Sequence, residues 1–121
     1  MSDARDKAVA EALTDLEGEV KGSSAALVLR SGALFAGRAP AAVNKETYAA
    51  MAAVIAGAAE TGTADLGDPV RSVEVRLASG ALLEAPVGAK LVLVLHLPDA
   101  SALPTSSGKV AQAAKRLSDL F

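Results

Sequence analysis

Few side chains in this sequence could do chemistry. His96 is the single histidine and there is no cysteine. The lack of cysteine excludes disulfides, thiolate zinc sites, iron–sulfur clusters and a cysteine nucleophile. A histidine acts as a base or ligand only with a nucleophile or second ligand placed to join it. Asp99 is near in sequence but follows Pro98, and no Gly-x-Ser-x-Gly elbow occurs. His96 therefore reads as a structural group near a strand end. The run Ser106-Ser107-Gly108-Lys109 suggests a phosphate loop, but that motif needs Gly where Leu103 stands and Ser or Thr where Val110 stands. The plainer expectation is a serine N-cap, with a helix start that carries no acidic side chain and can attract an anion weakly. Arg30, Arg38, Arg71 and Arg76 read as solvated charge. Arg38 stands out because it sits on a loop, from which a guanidinium can reach a partner. No catalytic, cofactor or metal site is assigned.

Composition points the same way. The chain has 121 residues, 12 Lys+Arg against 14 Asp+Glu, and a net charge of -2. Its length fits a single domain over residues 1–121. The charge offers no footprint for nucleic acid, and 2% aromatic residues leave almost no rings to stack bases on. Residues are 51% hydrophobic, with 28 Ala, 16 Leu and 12 Val, so the core must rely on close backbone approach and not on bulky rings. The first residues are polar and charged, unlike a signal peptide, and no stretch is long and apolar enough to span a bilayer. The expected location is cytoplasmic.

Hydrophobic spacing sets out the elements. Val9, Leu13, Leu16 and Val20 recur at helical spacing over 4–20, with Ser2 or Asp3 as cap. Two strands at 25–30 and 33–37 flank a Ser31-Gly32 turn. In 70–78, Val73, Val75 and Leu77 alternate with Ser72, Glu74 and Arg76, the pattern of a half-buried edge strand. Ser79-Gly80 turns the chain into a strand at 81–85 that Pro86 should stop. Residues 91–97 are apolar almost throughout, as in a central strand covered on both faces. A loop at 98–107 and a last helix at 108–121 follow. The order α-β-β-α-β-β-β-α, with hairpin connections, predicts an α+β fold: a five-stranded antiparallel sheet with helices on both faces.

The second helix says most. Asn44 is a good N-cap, Glu46 lies in the first turn and Gly62 is a good terminator. Between Thr47 and Glu60 no residue is charged. A helix resting on a soluble domain should show a polar outer face. One without it wants cover on both sides, and in a chain this small the second cover should come from another molecule. Small residues Ala49, Ala53 and Gly57, extended by Ala52 and Ala56, form the expected seam. The strand carrying Val73, Glu74, Val75 and Arg76 can pair with its twin, opposite charges facing one another.

These residues also resemble a known family. The stretch 26–36 looks like the first hairpin of the Roadblock (dynein light chain) family. Residues 48–60 resemble its Ala-rich second helix, and 82–97 with Pro86-Val87-Gly88 resemble its last hairpin. Pro98-Asp99-Ala100, Gly108-Lys109-Val110 and Ala113 to Leu117 are similar to its final loop and helix. The resemblance implies a profilin-like fold and a homodimer, with second helices antiparallel across the twofold and third strands joined edge to edge. It implies service to a small Ras-like GTPase, as scaffold or GTPase-activating partner, without catalytic residues of its own. Activating bacterial relatives often carry longer ends, so binding is a firmer expectation here than activation. Arg38, Asn44, Lys45, Tyr48 and Glu60 are the candidate partner-binding residues. A structural homo-oligomer without a GTPase, and a small-molecule or anion sensor, stand as alternatives.

Overall fold

The computed structural model describes residues 3–121, so the Ser2 cap candidate lies outside the described residues. Helix α1 (Asp3–Glu19) is followed by strands β1 (Ser24–Leu29) and β2 (Leu34–Gly37), then helix α2 (Lys45–Thr63). Strands β3 (Val73–Arg76), β4 (Ala81–Val87) and β5 (Leu91–Leu97) come next, and helix α3 (Leu103–Ser118) closes the chain. All neighbours in the sheet are antiparallel, in the order β2-β1-β5-β4-β3. The expected architecture holds.

The sheet has two unequal covers. Side chains alternate across a strand, so Leu27, Leu83, Leu93, Leu95 and Leu97 face α1 and α3. They meet Val9, Leu13, Leu16, Val110 and Leu117 in a thick leucine core. The opposite face meets α2 alone, through Ala26, Val28, Leu82 and Val94 below and Tyr48, Ala49 and Ala52 above. Alanines on the helix let it lie close to the sheet, and that layer is thin.

Several boundaries differ from the sequence expectation. Gly62 does not stop α2: the helix runs on to Thr63, a 3₁₀ turn over Ala64–Leu66 follows, and Gly67 at φ 65° ends it. A Cβ at Gly62 would meet no atom within 4 Å, so the glycine is simply tolerated inside the helix. Pro86 does not stop β4 but pairs opposite Val92. β3 reaches only as far as Glu84, so Pro86 lies where β4 is open on one side and a missing N–H is tolerated. The last helix starts at Leu103, with Pro104 in its first turn, ahead of the start at 108 that the sequence suggests. Asp99 begins the preceding 3₁₀ turn by accepting from Ser101 N at 2.9 Å. Hydrogen bonds from Ser101 hold its carboxyl below the ordinary value.

Gly37 ends β2 at a close approach. Arg38 N donates to Ala25 O at 3.0 Å, which brings the two backbones together. Gly37 has φ 82°, and a Cβ there would lie 2.3 Å from Ala25 O and 3.0 Å from Leu13 Cδ1. Gly37→Ala therefore combines backbone strain with a backbone clash. It is expected to lower stability by about 2 kcal/mol or more, read as a fall in the urea midpoint with unchanged slope; an unaltered midpoint would contradict the geometry.

Candidate functional site

Helix α2 carries charge only near its ends, at Lys45, Glu46 and Glu60. The Asn44 side chain caps it by accepting from Thr47 N at 2.9 Å. Arg30, just past β1, donates from Nη1 to Glu60 Oε1 and ties the last turns of α2 to the sheet. Between these fastenings the inner face is Tyr48, Ala49, Ala52 and Ala56, all buried. The outer face is Ala50, Val54, Ala58 and Thr61; Val54 is 67% accessible. Ala53 and Gly57 lie on the flank between the two faces, half-buried.

The expected seam is thereby corrected. Ala49, Ala52 and Ala56 are taken up by the chain's own sheet and cannot meet a second molecule. At 100° per residue they share one side with Tyr48, whose ring marks the inward face. The uncovered stripe is rotated to Ala50, Val54 and Ala58, and only Ala53 and Gly57 of the expected set border it. Gly57 meets no atom within 4 Å where a Cβ would stand. A glycine inside a helix costs about 1 kcal/mol relative to alanine, and Gly57, like Gly62, is not required by any neighbour among the described residues. On β3, Val73 and Val75 are half-buried and Val75 packs toward α2, whereas Glu74 and Arg76 are exposed. Among the described residues, the outer side of β3 has no neighbouring strand.

The candidate partner-binding residues do not form one patch. Arg38 is bound on the α1 side: its Nε donates to Glu17 Oε2 at 2.8 Å, and the same oxygen accepts from Ala25 N at 2.8 Å. Tyr48 is buried under α2 and offers nothing to a partner. Asn44 and Lys45 stand exposed at the start of α2, and Glu60 sits at its far end in the Arg30 pair. The serine-cap reading of the last helix also fails, because Ser106 lies inside α3 and is buried. A cleft of about 600 Å³ lies between the end of α2 and β4, lined by Arg30, Glu60, Asp68, Pro69, Val70 and Pro86 among others. Two carboxylates and one guanidinium already bound to one of them make a poor anion site. Among the described residues, no cluster of His, Asp and Glu could hold a metal ion, and no helix is long and apolar enough to cross a membrane.

One residue under α2 is absent from the sequence-based candidates. Glu84, in β4, is 1% exposed and pairs opposite Val94 and Val73. Among the described residues, neither carboxyl oxygen has a hydrogen-bond partner, and neither does the buried Tyr48 hydroxyl. Burial pushes the Glu84 carboxyl up to about 8. Tyr48 is raised too, first by burial and then by the nearby Glu84 charge. The sequence does carry a signal: one carboxylate in the otherwise apolar run Ala81-Leu82-Leu83-Glu84-Ala85-Pro86-Val87.

A raised value makes Glu84 a source of pH-dependent stability. Unfolded, the group ionises at about pH 4.5; folded, it holds its proton to about 8. Between those values the folded chain keeps a proton that the unfolded chain has lost, so this contribution is full at low pH and declines as pH rises. The decline is at most about 1.4 kcal/mol per pH unit and levels off above the folded value. Urea unfolding of the native chain and of Glu84→Gln across that range should show a slope in the first that is largely absent from the second. Parallel profiles would contradict the burial.

Comparison with known proteins fits this geometry. A protein-family model, the Roadblock/LC7 domain, matches residues 9–96. No curated protein matches significantly in sequence. Among solved structures, the gliding protein MglB of Thermus thermophilus superposes with a TM-score of 0.87 at 22% identity, covering 99% of this chain and 93% of that one. An MglB with a tetrameric arrangement gives 0.82 at 24% identity, over 99% and 92% of the two chains. A Roadblock/LC7 domain from Streptomyces avermitilis gives 0.75 at 20% identity, over 88% and 91%. At such identities these structures speak for the fold, and the family match spans most of the chain: this protein belongs to the Roadblock/LC7 domain family.

Proposed function

We propose that this chain is a single-domain, non-enzymatic homodimer that binds a small Ras-like GTPase and regulates or scaffolds it. The observation that carries the reading is where the exposed large apolar side chains lie. Among the described residues these are Val43, Val54, Leu66, Leu77 and Phe121. Val43 stands just before α2, Val54 at its middle, Leu66 just after it and Leu77 just past β3. All but Phe121 thus follow the α2 layer and the sheet edge beside it. Scattered singly they would mean little; gathered around α2 and the end of β3 they support a surface awaiting cover.

Size decides how much of that surface is needed. An α2 of 19 residues is about 28 Å long and presents a face roughly 10 Å wide, so it offers about 300 Å². A stable interface buries about 800 Å² per partner. The helix pair alone is therefore too small, and the β3 edge and the segment between α2 and β3 must join it. A twofold centred on Val75 would continue the sheet and set Glu74 of one copy opposite Arg76 of the other. Gly57 fits the same picture, since a bare backbone permits close approach between helices. Family membership supports a GTPase as the client of this dimer. The platform would favour one nucleotide state by its difference in affinity for the two. Asn44 and Lys45 of one copy and Glu60 of the other, which an antiparallel helix pair brings to the same end, are the contact positions proposed for it, with Arg38 and Tyr48 dropped.

Val54→Glu tests the platform and its client together. Val54 is exposed in the single chain, so the fold should survive. At the seam, two glutamates would face each other, and dimerisation should weaken at least about a hundredfold. Sedimentation should then give the mass of one chain, and capture of a GTPase loaded with GTP or GDP analogues should be lost in parallel. A native chain that captures no GTPase in either state while remaining dimeric would favour a structural homo-oligomer instead.

A further inference from the structure

We propose that Glu84 and Tyr48 form a pH-responsive latch beneath α2: with Glu84 protonated the helix lies closed on the sheet, and ionisation of Glu84 lifts it and weakens the pairing of two copies. The idea rests on the homodimer reading above, and it concerns how that seam is controlled.

The geometry is that of a helix seated on an unbonded acid. Glu84 lies mid-strand in the thin layer, between Val73 of β3 and Val94 of β5, with α2 above. Both of its carboxyl oxygens and the Tyr48 hydroxyl are sealed from solvent without partners. A neutral acid can be held so at modest cost, whereas a bare carboxylate there needs water or a cation. The groups around it do not supply one. From α2 comes Tyr48, itself harder to ionise because of its burial first and of Glu84 second. From β5 comes His96, on the α2 side by strand alternation with Val94 and opposite Leu82, and no hydrogen bond joins it to Glu84. From the end of β1 comes Arg30, committed to Glu60 of α2. On β3 the charged Glu74 and Arg76 alternate away from the side on which Val75 packs toward α2.

Water can approach this layer from the cleft beneath the end of α2. Pro86 is the next residue of β4 on the same face as Glu84, and it lines the 600 Å³ cleft under the end of α2. There β4 has no β3 neighbour. Hydrating an ionised Glu84 through that cleft means raising α2 from the sheet, and raising α2 displaces Ala50, Val54 and Ala58 from the seam. A second copy pressed on α2 resists this, so the paired state holds the proton more tightly than the single chain. By linkage, pairing is indifferent to Glu84 at neutral pH and weakens once the single chain begins to lose the proton.

The test is the dimer dissociation constant by sedimentation, with hydrogen exchange of the α2 amides on the same samples. It compares the native chain, Glu84→Gln and the apolar Glu84→Met. Between about pH 7 and about pH 9.5, the constant should rise at least about tenfold for the native chain, and α2 exchange should quicken beyond its chemical rate. Both variants should stay paired and flat. A native dimer whose constant and α2 protection follow the variants across this range overturns the latch and leaves the dimer standing. If every protein sediments as one chain at all pH values, the dimer reading fails. The latch is then judged by exchange: α2 opening that rises with pH only when Glu84 is present supports it, and equal opening in all three overturns it.

Discussion

The constraint on which the rest depends is the covering of α2. A five-stranded sheet has two faces to hide, and this chain places two helices on one face and one on the other. The single helix must reach the sheet through small side chains, so its inner face is alanine with one tyrosine. Its outer face is also free of charge. An element apolar on both sides is at home only between two surfaces, and this chain provides one of them.

The ends of α2 show how a thin layer is held in place. Asn44 satisfies the first turn, and the Arg30–Glu60 pair fastens the last. Both side chains of the pair are mostly buried, so it holds position more than it adds stability. Between those points, adhesion comes from short side chains and from exclusion of water. Glu84 and Tyr48 place unbonded polar atoms in that dry layer. Replacing them with apolar groups would make a simpler core, and their presence makes the seat of α2 responsive in a way the leucine core on the other face is not.

Much of the fold is legible in the sequence, for identifiable reasons. Residues 91–97 form β5 with the bounds that their almost unbroken apolar run suggests, because a strand buried on both faces leaves no ambiguity. The Ser31-Gly32 and Ser79-Gly80 turns stand where turn chemistry puts them. Boundaries differ where a residue's local habit yields to its neighbours: Gly62 inside α2, Pro86 inside an open-sided stretch of β4, Pro104 at the start of α3. The site is harder to read. In an Ala-rich helix both faces look alike, so spacing places the seam a little over a quarter of a turn away from the uncovered stripe, and only Tyr48 shows which side points inward. The role of Arg38 is hidden because its partner, Glu17, is 21 residues away and joined to it only by the folding of β2 against α1. Glu84 is inconspicuous because a charge in a strand normally faces water, and alternation alone does not tell which face is covered.

A cysteine at the middle of α2 reports whether a second copy covers that helix. The chain has no cysteine, so Val54→Cys introduces a single thiol. Val54 is midway between Lys45 and Thr63, where two identical antiparallel helices come nearest to their twofold. Mild oxidation at low protein concentration should join two chains through the introduced thiols rapidly and almost completely. A control variant, Thr14→Cys on the exposed side of α1, should stay unlinked. If the α2 thiol instead links no faster than the control and reacts with a water-soluble alkylating agent as an open surface group does, the outer face of α2 meets solvent and the account is wrong.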